Sequence, residues 1–241
     1  MKIDELSLER AIKVFEKCWE ELTKEYWEGN ARLMSTFCSE ADIELHLAHK
    51  LLERLPYGSV HIEFPISLDV ERLWEDLFSY GRVKARKYIK PDIVIINPTL
   101  PVSVYLIAEL KFTPAYISFL PLLPAILKIM GKEYMKSLKN GIKENIDYLQ
   151  RKQKKELTKN EKKYYLGNID KLIKILKDFE ERGEIVAGYL CFIDELYPNL
   201  QQILEEEIEK YEPPDQFKIL GMHYPAIETL KRAYEWLSKQ V

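Results

Sequence analysis

The stretch PDIVIINPTLPVSVYLIAELKF, residues 91 to 112, decides how this chain is read. Its two ends, PDIVIIN (91 to 97) and VYLIAELKF (104 to 112), are rich in β-branched and aliphatic residues, which pack well on a pleated surface. Between them NPTLP (97 to 101) supplies residues that set turns rather than ladders. Two such runs joined by so short a turn predict an antiparallel hairpin. Three charged residues interrupt it: Asp92 begins the first strand, and Glu109 and Lys111 end the second. Side chains two apart on a strand share a face, so Glu109 and Lys111 point one way while Ala108, Leu110 and Phe112 point the other.

Charges on apolar strands survive burial only when paired or bound to a metal. Asp92 and Glu109 lie 17 residues apart across the turn, a spacing that brings the start of one strand beside the end of the other. Two carboxylates placed together repel, and a divalent cation between them removes the strain. Mg²⁺ or Mn²⁺ suits such a pair, because Mg²⁺ is commonly held by one or two carboxylates plus waters and substrate phosphates. Lys111 beside them could orient or deprotonate an attacking water and offset charge growing on a phosphate. The competing reading is a surface ion pair of Glu109 and Lys111 on an edge strand, with Asp92 capping the turn before its own strand.

Outward from the hairpin, residues 4 to 28 carry Leu8, Ile12, Phe15, Trp19, Leu22 and Tyr26 in alternating steps of four and three, an amphipathic helix expected to pack on the protein's own core. Ser39 opens a second helix to about residue 55, with Asp42 in the capping-box position. The alternation of Val60, Ile62, Phe64 and Ile66 with His61 and Glu63 predicts a strand over 60 to 66. Residues 67 to 88 are ambiguous, with a short helix around VERLWEDLF. A lysine-rich region, 132 to 182, reads as two helices meeting near 165 to 168, and IVAGYLCFID (185 to 194) as a buried strand. The tail holds an acidic helix (199 to 211), a break at Pro213 and Pro214, a strand FKILGM (217 to 222) and a last helix. The fold class is α/β, with a mixed sheet of at least four strands (60 to 66, 88 to 97, 103 to 112, 185 to 194) flanked by helices. Residues 39 to 194 form the core, to which 1 to 38 and 195 to 241 are helical additions.

Composition sets the outer bounds. The 241 residues, 46% of them apolar, suffice for one large domain with a substantial core. Lys and Arg number 36 against 39 Asp and Glu, a net charge of −3, so no global positive field draws in nucleic acid. Between residues 136 and 177, however, thirteen Lys and Arg face five acids, a local excess of eight positive charges. Lys139, Lys143, Arg151, Lys152, Lys154 and Lys155 in this stretch are candidate contacts to a phosphate backbone, the alternative being an ordinary solvated helix surface. Cys18, Cys38 and Cys191 cannot all pair and are not at metal-ligand spacing, and the start MKIDELSLER lacks the basic-then-apolar pattern of a secretory leader, so a reduced, cytoplasmic protein is expected. The apolar run Ala115 to Met130 is too short for a membrane span and is broken by Pro121, Pro124 and Lys128. Few glycines and many Lys, Glu, Ile and Tyr give a bias like that of proteins from hot environments.

Pro91-Asp92, about 16 residues, then Glu109-Leu110-Lys111, set in a helix-strand-strand-strand-helix-strand order, resembles the PD-(D/E)XK nuclease superfamily. SEADIELHLAHKL (39 to 51), IEFPI (62 to 66) and IDYLQR (146 to 151) look like its prokaryotic, archaeal-type members; the resemblance covers about 39 to 194. It implies a restriction-endonuclease-like core, a Mg²⁺ or Mn²⁺ held by Asp92, Glu109 and the Leu110 carbonyl, Lys111 as catalytic lysine, and DNA as substrate. It also implies an acid from the preceding helix. Glu40 matches the SEAD motif, whereas Glu44 lies nearer the apolar side of that helix, and both stay open. The Gln-x-x-x-Tyr motif and the cluster-binding cysteines of some relatives are absent. The alternative to an enzyme is an inactive member of the fold, whose apolar segment 114 to 130 and N-terminal stripe form a homodimer or partner interface.

Overall fold

In the computed structural model the described residues are 6–31, 39–64, 66–67, 88–99, 103–115, 123–153 and 156–239. The expected helix around VERLWEDLF, residues 116 to 122 of the apolar segment, Cys38, Lys154 and Lys155 lie outside them. Five strands make a mixed sheet: β1 (Val60–Ile62), β4 (Ile93–Asn97), β5 (Ser103–Thr113), β6 (Ala187–Asp194) and β7 (Phe217–His223), hydrogen-bonded in that order. A separate ribbon pairs β2 (Ile66–Ser67) with β3 (Tyr88–Ile89). The strand expected over 60 to 66 is thus two short ones, because Glu63 adopts a left-handed backbone (φ +48°) that a continuous strand excludes. The hairpin is present, with β4 antiparallel to β5 and Ile93 opposite Ala108. β5, β6 and β7 run parallel to one another.

Helices cover both faces. Alternation along the strands sends Ile93, Ile95, Leu106, Ala108, Leu110, Tyr189 and Cys191 to one side, where they meet α1 (Leu8–Ala31), α2 (Glu40–Leu52), α3 (Leu123–Lys152) and α7 (Ala226–Ser238). Val94, Ile96, Ile107, Leu190 and Phe192 face α4 (Lys159–Leu166), α5 (Ile169–Glu181) and α6 (Leu200–Ile208). Each face carries its own apolar layer, so β6, covered on both, is buried throughout. The lysine-rich region resolves into three helices rather than two. The break at 166 to 169 falls where expected, and an earlier one precedes Thr158, whose side chain forms a capping box with Glu161. The α1 stripe is spent inside the chain's own core: Phe15, Cys18, Trp19, Leu22 and Tyr26 are buried. β7 falls on the strand expected over 217 to 222 and brings the sheet, expected to have at least four strands, to five.

Where the parallel strands end, two carboxylates are sunk in the interior: Asp194 is 0% and Glu195 1% exposed. Glu195 accepts from the Tyr26 hydroxyl and the Ala115 N–H, which ties α1 to the end of β5. Asp194 accepts from the Tyr197 N–H (2.6 Å) and the Tyr165 hydroxyl (3.2 Å), and faces His223 Nδ1 (3.2 Å). Burial pushes the Glu195 carboxyl up to about 7, against the pull of those two donors. A carboxyl raised in the folded state supplies its full stabilisation below its unfolded value, near 4.5, and loses it as pH rises through about 7. Wild-type stability in urea should therefore fall between pH 5 and 7, Glu195 contributing up to about 1.4 kcal/mol per pH unit. Glu195→Gln should flatten that slope; an unchanged slope would show the carboxyl to be ionised in the fold.

Candidate active site at the parting of two strands

The hairpin ladder ends at Ile93 and Ala108. Continued by two residues, the same register would set Pro91 opposite Leu110, and proline has no N–H to give the Leu110 carbonyl. From Leu110 onward the edge of β5 that faces β4 is completed by side chains. The Leu110 N–H donates to Asp92 Oδ2 (2.5 Å), and the Phe112 N–H to Glu40 Oε2 (3.3 Å) and the Tyr164 hydroxyl (3.2 Å). The Leu110 carbonyl accepts from Lys111 Nζ at 2.7 Å. On the other side of Asp92, its carbonyl accepts from the N–H of Glu63, the residue held at positive φ. Such a conformation costs a non-glycine residue about 1 kcal/mol, and it interrupts the strand between β1 and β2 beside the site.

One ammonium gathers the acids. Lys111 Nζ lies 2.7 Å from Glu109 Oε1, 3.4 Å from Glu40 Oε1 and 4.0 Å from Asp92 Oδ2. Glu109 is 2% and Lys111 7% exposed, so this is a buried cluster and not the surface pair of the competing reading. The spacing of Asp92, Glu109 and Lys111 predicts that they meet, and the resemblance leaves Glu40 and Glu44 open as the helix acid. The structure brings Glu40 into direct contact with Lys111 and places Glu44 close enough to feel the charges of Glu63, Glu40 and Glu109, which, after burial, raise its pKa. Two carboxylate oxygens among the described residues, Glu44 Oε1 and Glu109 Oε2, are buried without a hydrogen-bond partner.

Charge at the site does not balance. Burial, then the neighbouring Glu109 charge, pushes Asp92 up to about 7 in spite of the Leu110 N–H and Lys111. Burial alone would lower the Lys111 pKa, but Glu109, Glu40 and Asp92 overcome it and hold the group above its ordinary value, as an ammonium. Among the described residues one cation, Lys111, thus faces three acids within 4.0 Å. The donors are carboxylates and a main-chain carbonyl, hard oxygens of the kind Mg²⁺ and Mn²⁺ accept, and Glu109 Oε2 is unclaimed, so the residues fit a divalent cation. Among the described residues, no group of three or more His, Cys, Asp or Glu is disposed around a common metal position. A site here would use two carboxylates, the backbone carbonyl and water.

Two residues that spacing alone did not single out complete the cluster. Asn168 Nδ2 donates to Glu109 Oε1 at 3.0 Å, and the Tyr164 hydroxyl donates to Glu40 Oε2 at 2.5 Å. Both come from the corner between α4 and α5, more than 50 residues along the chain from β5, and only the parallel crossover from β5 to β6 returns them to it. The clue in the sequence was the helix break itself.

The basic stretch is partly spent internally. Lys152 pairs with Glu161 (2.5 Å), Lys162 with Glu207 (2.7 Å) and Lys174 with Asp170 (2.7 Å). Lys139 lies over the Tyr234 ring, while Lys143 and Arg151 are exposed on α3. Among the described residues no helix is long and apolar enough to cross a membrane.

Replacing Asp92 by asparagine keeps an acceptor for the Leu110 N–H and removes the like-charge repulsion. Asp92 is raised in the fold, so it costs stability above about pH 7 and that cost disappears below its unfolded value, near 3.8. Asp92→Asn should therefore stabilise the protein at pH 8 by about 1 to 2 kcal/mol, roughly 3 to 6 °C in Tm. The gain should shrink toward pH 5. Thermal melts at the two pH values check this, and a loss of stability at pH 8 would contradict the assignment of charge.

Comparison of the chain with protein-family models, with curated protein sequences and with solved structures gave no match.

Proposed function

We propose that this notch is the active site of a metal-dependent nuclease hydrolysing DNA phosphodiester bonds, on a core of the restriction-endonuclease-like kind. The observation that carries the reading is the convergence of Asp92, Glu109, Lys111 and Glu40 at the point where two core strands part. The element order and the PD…ELK spacing support the fold assignment, and DNA is the substrate their resemblance implies. Asp92, Glu109 and the Leu110 carbonyl would hold Mg²⁺ or Mn²⁺, which when bound supplies Lewis acidity toward phosphate oxygen and lowers the pKa of bound water.

The chain's own residues do the rest. Lys111, kept cationic by its neighbours, offsets negative charge developing on a phosphate better than it withdraws a proton from water. Glu40, about one-third exposed, is the acid of this group best placed to meet solvent and to accept a water's proton. Lys143 and Arg151 offer exposed positive charge for sequence-independent contact with backbone phosphate. A second reading, an inactive member of the fold that binds nucleic acid or a protein, draws on the saturation of Lys111 by Glu109, Glu40 and the Leu110 carbonyl.

Incubation with single-stranded, duplex and branched DNA, with and without Mg²⁺ or Mn²⁺, separates the two. Wild type should cut only with metal, and Lys111→Ala should lower the rate by about 10²-fold or more while remaining folded. Inactivity on every substrate, or activity indifferent to Lys111→Ala, would favour the binding module.

A further inference from the structure

The corner between α4 and α5 is built in a way that ordinary helix chemistry does not explain. Asn168 occupies the N-cap position of α5, where an asparagine side chain usually accepts from a free N–H of the first turn. Here it makes no such bond; its amide is given to Glu109 Oε1 instead. The helix thus goes without that cap, and the amide holds a buried carboxylate instead. One turn earlier two consecutive tyrosines seize two consecutive residues of β5. The Tyr164 hydroxyl accepts from the Phe112 N–H and lies 2.9 Å from the Phe112 carbonyl oxygen, and Tyr165 bonds with Thr113. While so fixed, the Tyr164 hydroxyl also donates to Glu40, and its ring lies with its centroid 5.7 Å from Lys111 Nζ.

We propose that Tyr164 and Asn168 are the positioning residues of this site, a paired brace that aims Glu40 and Glu109 and leaves Glu109 Oε2 as the oxygen presented to a divalent cation. The geometry assigns each a separate task. Glu109 Oε1 is saturated by Lys111 and Asn168, which fixes the carboxylate rotamer and leaves the second oxygen bare. Glu40, on the opposite helical layer and partly exposed, lacks the burial that orders Glu109, so the Tyr164 hydroxyl and the Phe112 N–H supply its orientation. Partners of ligating carboxylates commonly change metal affinity by roughly 10 to 100-fold when removed. The inference rests on the metal-site reading above and names the residues outside the acid-lysine set on which it depends.

The experiment compares wild type, Tyr164→Phe and Asn168→Ala, with Asn168→Ser in reserve should the alanine variant not fold. Calorimetry with Mn²⁺ alone should show affinity reduced roughly tenfold in each variant. On cleaved DNA, kcat should fall with KM little changed, since neither residue is assigned to substrate. A third readout needs neither metal nor activity: the side-chain ammonium resonance of Lys111 in isotope-labelled protein, assigned with Lys111→Arg. Held by several acceptors, it should be visible in wild type, and shifted or lost in Asn168→Ala and Tyr164→Phe. Lower melting temperatures with unchanged Mn²⁺ affinity and an unmoved Lys111 resonance would overturn the proposal and leave the corner a purely structural joint. If wild type neither binds Mn²⁺ nor cuts DNA, the nuclease reading falls and with it the cation at Glu109 Oε2, and the Lys111 resonance decides what is left: unmoved in both variants, the brace is overturned as well; moved in either, Tyr164 and Asn168 still aim Glu40 and Glu109.

Discussion

The site depends on one constraint: a β-strand in the middle of a sheet cannot leave its backbone groups unpaired. Between Ile93 and Asn97 the β4–β5 ladder meets that need with main-chain bonds. Past Ala108 it cannot, because the neighbouring chain offers a proline and then turns away. A buried amide or carbonyl without a partner costs about 1 to 3 kcal/mol, so the fold requires polar side chains at Leu110 and Phe112. Asp92, Glu40, Lys111 and Tyr164 meet that requirement. Once there, they stand close enough to shift the protonation of Asp92, Lys111 and Tyr164. The acid cluster is therefore a product of how the sheet is finished as much as a device added to it.

How much of this could be read from sequence follows from range. The hairpin, the charges at its two ends and the shared face of Glu109 and Lys111 are local properties, fixed by a period of two over 22 residues, and they were legible. So was the helix that carries Glu40, through its Ser39 cap. Whether Glu40 or Glu44 belongs to the site was not, because both lie on neighbouring turns of one face. The choice is made by which turn passes the open edge of β5. Tyr164 and Asn168 were invisible for a plainer reason: they reach β5 only after about 50 residues of crossover, and no spacing rule spans that distance. The left-handed Glu63 also escaped, since its residue type does not announce φ +48°. It divides what alternation marks as one strand.

The two buried acid groups illustrate different ways of housing a carboxylate. Glu195 is met by a tyrosine hydroxyl and a backbone N–H, Asp194 by another N–H, a second tyrosine and a histidine. These partners are mostly neutral donors, and they join three strand ends to α1 and α4. The Asp92–Glu109 pair has one cation and too few donors, so an oxygen is left bare. Neutral donors distributed around an acid suit a joint; an acid cluster left short of positive charge suits a place where charge is to be brought from outside. Burial raises the pKa of Asp92 as it raises those of Asp194 and Glu195, and so the number and kind of partners, not the shift, separates scaffold from site.

The finishing of β5 by side chains has a dynamic consequence. In the interior of a sheet, an amide is released to solvent only when strands separate, an event close to global unfolding in cost. The N–H groups of Leu110 and Phe112 answer instead to side-chain rotation at Asp92, Glu40 and Tyr164, the last two of them partly exposed. The central strand therefore has a stretch whose hydrogen exchange is governed by local opening, at much lower cost than that of Leu106 or Ala108 a few residues away. Anything that orders those three side chains would slow exchange at two backbone positions deep in the sheet, so this strand edge would register occupancy of the notch through its own amides.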